Sequence, residues 1–317
     1  MSTATKTYTR TALLLALGSL LPLTSASALD WSGVPAKDVL LTYPGQTSWE
    51  WVLTPADHEG AQKFRGGKDC RSCHDNEALT EGGNEVAKGG KLEPSPIAGK
   101  PGTLPIKVQV AHDDSKLYFR LQWKDTGTKA GQDQKYAARA TVFIANPALK
   151  EAQRGGCWAA CHDDSKGMPS AGAAPQDKYL GASRVKLSRQ GGGANIKPAA
   201  DLTAALAAGT YAEYWSAGLN PSQPAVAVNG YILDKRNDAS PTSVSAEASF
   251  NGGEWTVVIA RPLAGTGSGQ NSFAAGQVYP IGFAIHDGQT QGRFHYVSME
   301  HKLTLDSGSA DFVAGKR

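Results

Sequence analysis

Val108-Gln109-Val110-Ala111-His112-Asp113-Asp114-Ser115-Lys116-Leu117-Tyr118-Phe119-Arg120-Leu121-Gln122-Trp123 is the stretch that decides the fold. Apolar and polar residues alternate on both sides of Asp113-Asp114-Ser115, over 106–110 and again over 117–123, which is the period-two pattern of a β-hairpin around a polar turn. Further strands are expected at 140–145, 226–233, 244–250, 255–260, 281–286 and 293–299, many bounded by Gly, Asn or Pro. That many short strands separated by turns predict a mainly β chain built as a β-sandwich.

Upstream of the hairpin the composition changes. Residues 81–105 are rich in Gly, Pro, Lys and Glu, with Gly82-Gly83, Gly89-Gly90 and Pro94-Ser95-Pro96, and read as a loop or linker at a domain boundary. Before it, a short helix is expected from Pro55 to about Phe64. Residues 1–28 have the form of a secretory signal: Lys6 and Arg10, an apolar run from Ala12 to Leu23, and Ala26-Ser27-Ala28 as a cleavage site. That run falls short of the ~20 residues of a spanning helix. The division expected is therefore a signal peptide at 1–28, an N-terminal cytochrome c-type segment at 29–104 and the β-sandwich at 105–317. Within the sandwich, 146–218 reads as a long insertion with one helix, from about Pro198 to Ala208. The insertion is too polar and Gly-rich to build a core alone, and a buried macrocycle would supply one.

The chain has 317 residues, 40% of them hydrophobic, enough for one large domain or two modest ones. Of 32 Lys and Arg, Lys6 and Arg10 lie in the leader, which leaves 30 against 29 Asp and Glu. A balance so close to neutral, with no basic stripe, gives no reason to expect nucleic acid as a partner. No segment beyond the leader is apolar enough to span a bilayer, so stable membrane insertion is not expected.

Two cysteine pairs carry the chemistry. Cys70-Arg71-Ser72-Cys73-His74 has the C-x-x-C-H spacing of covalent haem attachment: two thiols one turn apart reach the haem vinyl groups, and the following His lies under the iron. A redox C-x-x-C pair, half a zinc site or a disulfide are the alternatives. The export signal, the adjoining His and the lack of a thioredoxin-like βαβ pattern weigh against them. Cys157-Trp158-Ala159-Ala160-Cys161-His162 has one extra residue between its cysteines, which must bulge if both sulfurs are to reach a second haem. A Cys157–Cys161 disulfide, or pairing with Cys70 and Cys73, is the other reading in an oxidising compartment. Two haems c would use all four cysteines.

Electron-transfer haems usually carry a second axial ligand, His or Met. His58, sixteen residues before His74, is the expected distal ligand of the first haem. For the second, His295 is expected opposite His162, with His286 and His112 in reserve. Met168 is too close to His162 to reach the opposite haem face, and His301 has no assigned role.

Three blocks, 108–125, 156–169 and 283–298, resemble the haem-binding domain shared by ethylbenzene dehydrogenase and dimethylsulfide dehydrogenase γ-subunits and their c-type relatives. The likeness covers roughly 105–300, with the Cys70–His74 segment as an added module. It implies an immunoglobulin-like β-sandwich gripping a haem at one end. In the b-type relatives a Lys, at a place resembling His295, and a Met ligate a non-covalent haem. The His and the covalent cysteines here depart from that pattern and imply bis-His ligation.

The function expected is that of a periplasmic dihaem electron carrier between a membrane quinol-oxidising cytochrome and a terminal redox partner. The alternatives are the haem subunit of a molybdenum oxidoreductase, a dihaem peroxidase or sulfur-compound oxidoreductase with an open iron, and a carbohydrate- or partner-binding module with haem as a staple.

Overall fold

The computed structural model describes residues 1, 29–47, 49–127, 135–162, 178–187, 195–288 and 294–317, of which Cys161 and His162 by backbone only. Residues 2–28 of the expected leader, Met168 and Gly191-Gly192-Gly193 lie outside the described residues.

The hairpin forms where the alternation places it, as β2 (Thr103–His112) and β3 (Lys116–Lys124), following β1 (Lys37–Thr42). The Asp113 carboxylate holds the turn by accepting the backbone N–H groups of Ser115 and Lys116, both at 2.7 Å, and the Tyr118 hydroxyl at 2.6 Å. Onward run β4 (Ala138–Ala145), β5 (Ala160–His162), β6 (Lys178–Leu180), β7 (Ala212–Leu219), β8 (Val226–Ile232) and β9 (Arg236–Asp238). They are followed by β10 (Ser245–Asn251), β11 (Glu254–Pro262), β12 (Tyr279–Asp287), β13 (Tyr296–Val297), β14 (His301–Leu305) and β15 (Phe312–Lys316).

Thirteen of these strands make one sheet, in the order β10-β11-β3-β2-β1-β13-β12-β4-β7-β8-β9, with β14 and β15 bridging from β12 back to β2. The sheet doubles over, so that its two halves face each other as a sandwich. Phe119 of β3 meets Trp215 of β7 and Phe283 of β12 across the core, with ring centroids 5.6 and 6.2 Å apart. Leu117, Leu121, Trp255, Val257, Val142, Ile144, Ile281 and Ile285 fill the same layer. Burial of this many large apolar side chains, each worth about 1.5–3 kcal/mol, drives the closure.

Inside this core lies one ion pair with both side chains fully buried. Arg261 of β11 holds Glu213 of β7 at 2.9 Å, and Glu213 also accepts the Trp215 indole N–H at 2.7 Å and the Asn271 backbone N–H at 2.8 Å.

Several expectations are corrected. The loop expected from Glu81 is instead the end of α3 (Asn76–Lys88), capped by the Asp75 carboxylate on the Ala78 N–H. Gly83 serves packing: a Cβ there would lie 2.2 Å from the Gly102 carbonyl oxygen. The helix expected over 55–64 is reduced to its end, α2 (Ala61–Arg65), and a separate short helix, α1 (Trp49–Val52), precedes it. The insertion expected to reach Gly218 ends in a core strand, because β7 is buried on both faces and shows no alternation. Its helix is present as α5 (Ala199–Ala207). The strand expected over 293–299 is reduced to β13. β1 pairs with β2 along its whole length and meets β13 at Thr42–Val297.

Candidate haem sites

The outer face of β4, β7 and β12 bears a second core. Phe143, Ala145, Ala212 and Tyr214 on the strands pack with Trp49, Phe64, Cys70, Leu149 and Met299. Both cysteine segments are fastened to this face. The Cys70 N–H donates to the Arg154 carbonyl at the end of α4 (Lys150–Gly155), at 3.0 Å, and the Arg154 guanidinium donates to the Phe64 carbonyl at 2.7 Å.

In the first segment the chain turns tightly, with the His74 N–H donating to the Cys70 carbonyl at 2.9 Å. His74 meets His58 across a largely apolar cleft enclosing about 670 Å³, open mouth included, and also walled by Cys70, Trp51, Leu79, Val86, Trp158 and Met299. The two imidazole centroids are 6.1 Å apart with ring planes 18° from parallel. With metal–nitrogen bonds of about 2.0 Å and each centroid ~1.1 Å behind its nitrogen, imidazoles on opposite sides of one ion have centroids ~6.2 Å apart. His58 Nδ1 lies 2.9 Å from the Val52 carbonyl oxygen, so it carries the proton and leaves Nε2 as the ligating nitrogen. Burial, and then the neighbouring His58, lower the pKa of His74, which keeps it in the neutral form a metal requires. These residues fit a haem with two axial histidines.

The second segment begins in a 3-10 turn, Gly156–Ala159, and continues into β5, whose partner across from His162 is Lys178 of β6. Cys157 is seated on β12: its Sγ lies 3.6 Å from the Phe283 carbonyl oxygen, and a Cβ on Gly282 would come within 2.6 Å of that sulfur. His286 occupies the same face of β12 four residues on, ~13 Å along the strand. His295 stacks on it, with centroids 4.6 Å apart and planes 17° from parallel. That spacing is too short for the two to ligate one iron from opposite sides, so each is a candidate partner for a ligand on the other segment. Burial, His295 and then Arg139, Lys178 and Lys100 push the His286 pKa well below the usual value, and it stays neutral.

His112 is drawn into neither site. One ring nitrogen is 2.8 Å from the Asp306 carboxylate and the other 2.9 Å from the Asp113 carbonyl, so both are engaged at the hairpin. Its proposed reserve role as an iron ligand therefore has no support in the geometry. Burial pushes the Cys157 thiol up to about 12 and the Cys70 thiol higher still.

Four further residues shape the sites without a signature in the sequence. Gly60 gives the His58 ring its space, since a Cβ there would lie 2.9 Å from Cε1. Gly282 does the same for Cys157. Lys100 is buried with its ammonium 3.9 Å from the Tyr296 ring and 5.1 Å from that of Tyr43, and burial lowers its pKa to about 7.

Glu300, the fourth, sits between the two segments. Its carboxylate accepts the Arg71 N–H at 3.1 Å, and its backbone packs against Gly156. Burial raises its pKa to about 7. A carboxyl ionises near 4.3 in an unfolded chain, so the folded state holds the extra proton between the two values. Stability is then lost as pH rises through that window and stays lost above it. Glu300→Gln should remove this loss, making the variant more stable than the parent at pH 8 by on the order of 2 kcal/mol, with little difference at pH 4. Thermal unfolding of both proteins at the two pH values measures it, and equal differences at both would contradict the assignment.

Among the described residues no helix is long and apolar enough to cross a membrane. A sequence model of the ethylbenzene dehydrogenase family matches residues 188–298, which run from the insertion through β12 to β13. The chain is 36% identical to cytochrome c-552 of Stutzerimonas stutzeri over 299 residues, covering 92% of each protein. It is 28% identical to cytochrome c-551 of Rhodocyclus tenuis over 295 residues, covering 92% of this chain and 100% of that one. An iron-sized gap between two histidines beside a C-x-x-C-H turn agrees with an electron-transfer role for haem c. The chain belongs to the c-type cytochrome family of cytochrome c-552.

Proposed function

We propose that the chain is a periplasmic dihaem carrier that exchanges electrons between a membrane quinol-oxidising cytochrome and a terminal redox partner. Cys70 and Cys73 would hold the first haem, with His74 and His58 as axial ligands. Cys157 and Cys161 would hold the second, with His162 opposite one of the stacked pair His295 and His286. A bound haem supplies a one-electron ferric/ferrous couple. These residues would hold each iron, the apolar wall around Trp51 and Val86 would line the first site, and all four thiols would be taken up. The observation that carries the reading is the 6.1 Å spacing of His58 and His74 beside Cys70. Bis-His ligation lacks the Met sulfur that raises the potential of ferrous-favouring cytochromes, so both couples should be low.

Pyridine haemochrome titration with intact mass tests it. Two haem additions per chain are expected; one addition, with Cys157 and Cys161 oxidised to each other, would leave a monohaem protein. A second reading, a haem subunit of a molybdenum oxidoreductase, draws on the match to the ethylbenzene dehydrogenase family. Co-purification of a molybdopterin-containing partner would favour it.

A further inference from the structure

We propose that Trp158 is the through-protein contact by which the two haems exchange electrons, its indole reaching the first haem while its backbone is bonded to the cysteine that anchors the second. This rests on the dihaem reading above.

Cys157 and Trp158 are neighbours in the chain that lie against different parts of the fold. The Cys157 sulfur lies over β12 at Gly282 and Phe283, whereas the Trp158 indole lines the cleft of His58, His74 and Cys70. The extra residue of the C-x-x-x-C spacing accounts for this divergence: 156–159 close a 3-10 turn before β5 begins at Ala160.

The turn is held in place. Gly156 adopts φ +52°, a left-handed conformation that suits glycine, and a Cβ there would meet the Glu300 backbone at 2.8 Å. The Arg154 carbonyl, two residues upstream, accepts the Cys70 N–H. Trp158 is therefore fixed relative to both attachment segments.

The indole also carries an unmet need. Trp158 Nε1 is buried and has no hydrogen-bond partner among the described residues. Such a donor costs about 1–3 kcal/mol unless an acceptor arrives, and a carboxylate of a haem in that cleft is one. The indole would then bond one haem while sitting one residue from the other's thioether.

Two bound haems would supply a one-electron exchange, one couple being oxidised as the other is reduced. No bond forms or breaks, and no proton moves. The indole remains closed-shell and serves as the packed π-system between the two.

The test uses the haem-loaded protein, with Trp158→Leu and Trp158→Met as non-aromatic variants and Trp158→Phe as the conservative one. Haem content and low-spin spectra are recorded on the same samples, so a parent with one haem identifies failure of the dihaem reading and not of this one. One haem is then reduced by a radiolytic pulse and equilibration with the other is followed spectroscopically. The non-aromatic variants should equilibrate more slowly than the parent by about tenfold, a barrier change of about 1.4 kcal/mol. The Phe variant should retain most of the parental rate. Parental rates in the Leu and Met variants overturn the proposal, as does a Phe variant slowed as much as they are.

Discussion

His58→Ala should turn half of the protein's haem from low-spin to high-spin, with the ferric haem then binding added imidazole or cyanide at that iron alone. The expectation follows from geometry and hydrogen bonding together. His58 faces His74 at the separation that one iron between two imidazoles demands, and the Val52 carbonyl holds its Nδ1 so that Nε2 points onward. Ala removes the ligand and leaves the surrounding wall of Trp51, Leu79 and Val86 in place, so exogenous imidazole should restore the low-spin spectrum. The potential of that haem should change while the other holds. EPR and optical titration give the answer, and a spectrum unchanged by the substitution would remove His58 from the iron. His112→Ala, whose ring is tied to Asp306, should leave both haems untouched and serves as the control. At the second site, the spectra of His295→Ala and His286→Ala identify which member of the stacked pair reaches iron.

Arg261→Met should be the most destabilising single change in the sandwich, by about 3–5 kcal/mol, because it leaves the Glu213 carboxylate buried without its cation. Desolvation already raises the pKa of Glu213, and Arg261 is the main group opposing that rise. The Arg261 guanidinium also lies over the rings of Trp215 and Phe273, at 5.3 and 5.1 Å, so its loss loosens the core around β7. Urea unfolding of the haem-loaded variant measures the effect. Replacing both partners, as Glu213→Leu with Arg261→Met, should recover much of the loss, since a matched apolar pair carries no stranded charge. A single variant within about 1 kcal/mol of the parent would mean that the pair is not coupled as the geometry implies.

What could be read from the sequence followed the physics of exposure. β3 and β11 alternate cleanly, with one face in the core and the other towards solvent, so their pattern announces them. β7 does not, because Trp215 and Ala217 face the sandwich core while Ala212 and Tyr214 face the haem segments. A strand covered on both sides loses the period that identifies it. α3 was hidden by Gly82-Gly83, which read as a loop, although Gly83 lets the helix approach Gly102 closely. The attachment motifs were legible because their chemistry sets a fixed spacing, and His58 because it lies near His74 in the chain. The neighbours of Cys157 come instead from β12 and the segment around His295, more than 120 residues away, where no local pattern could point to them. His112 looked attractive at a strand end, but its role is to tie the hairpin to Asp306 near β15.

The pairing of Thr42 with Val297 has a consequence for the order of assembly. It closes nearly the whole chain into a loop, so in a protein threaded N-terminus first the sheet cannot be completed until its last strands arrive. Cys70 is sealed by partners as late as Met299 and Glu300. Until those residues emerge, the Cys70 thiol stays accessible. The topology thus builds in an interval in which that thiol can be modified before the fold shuts over it, whereas Cys73 stays exposed throughout.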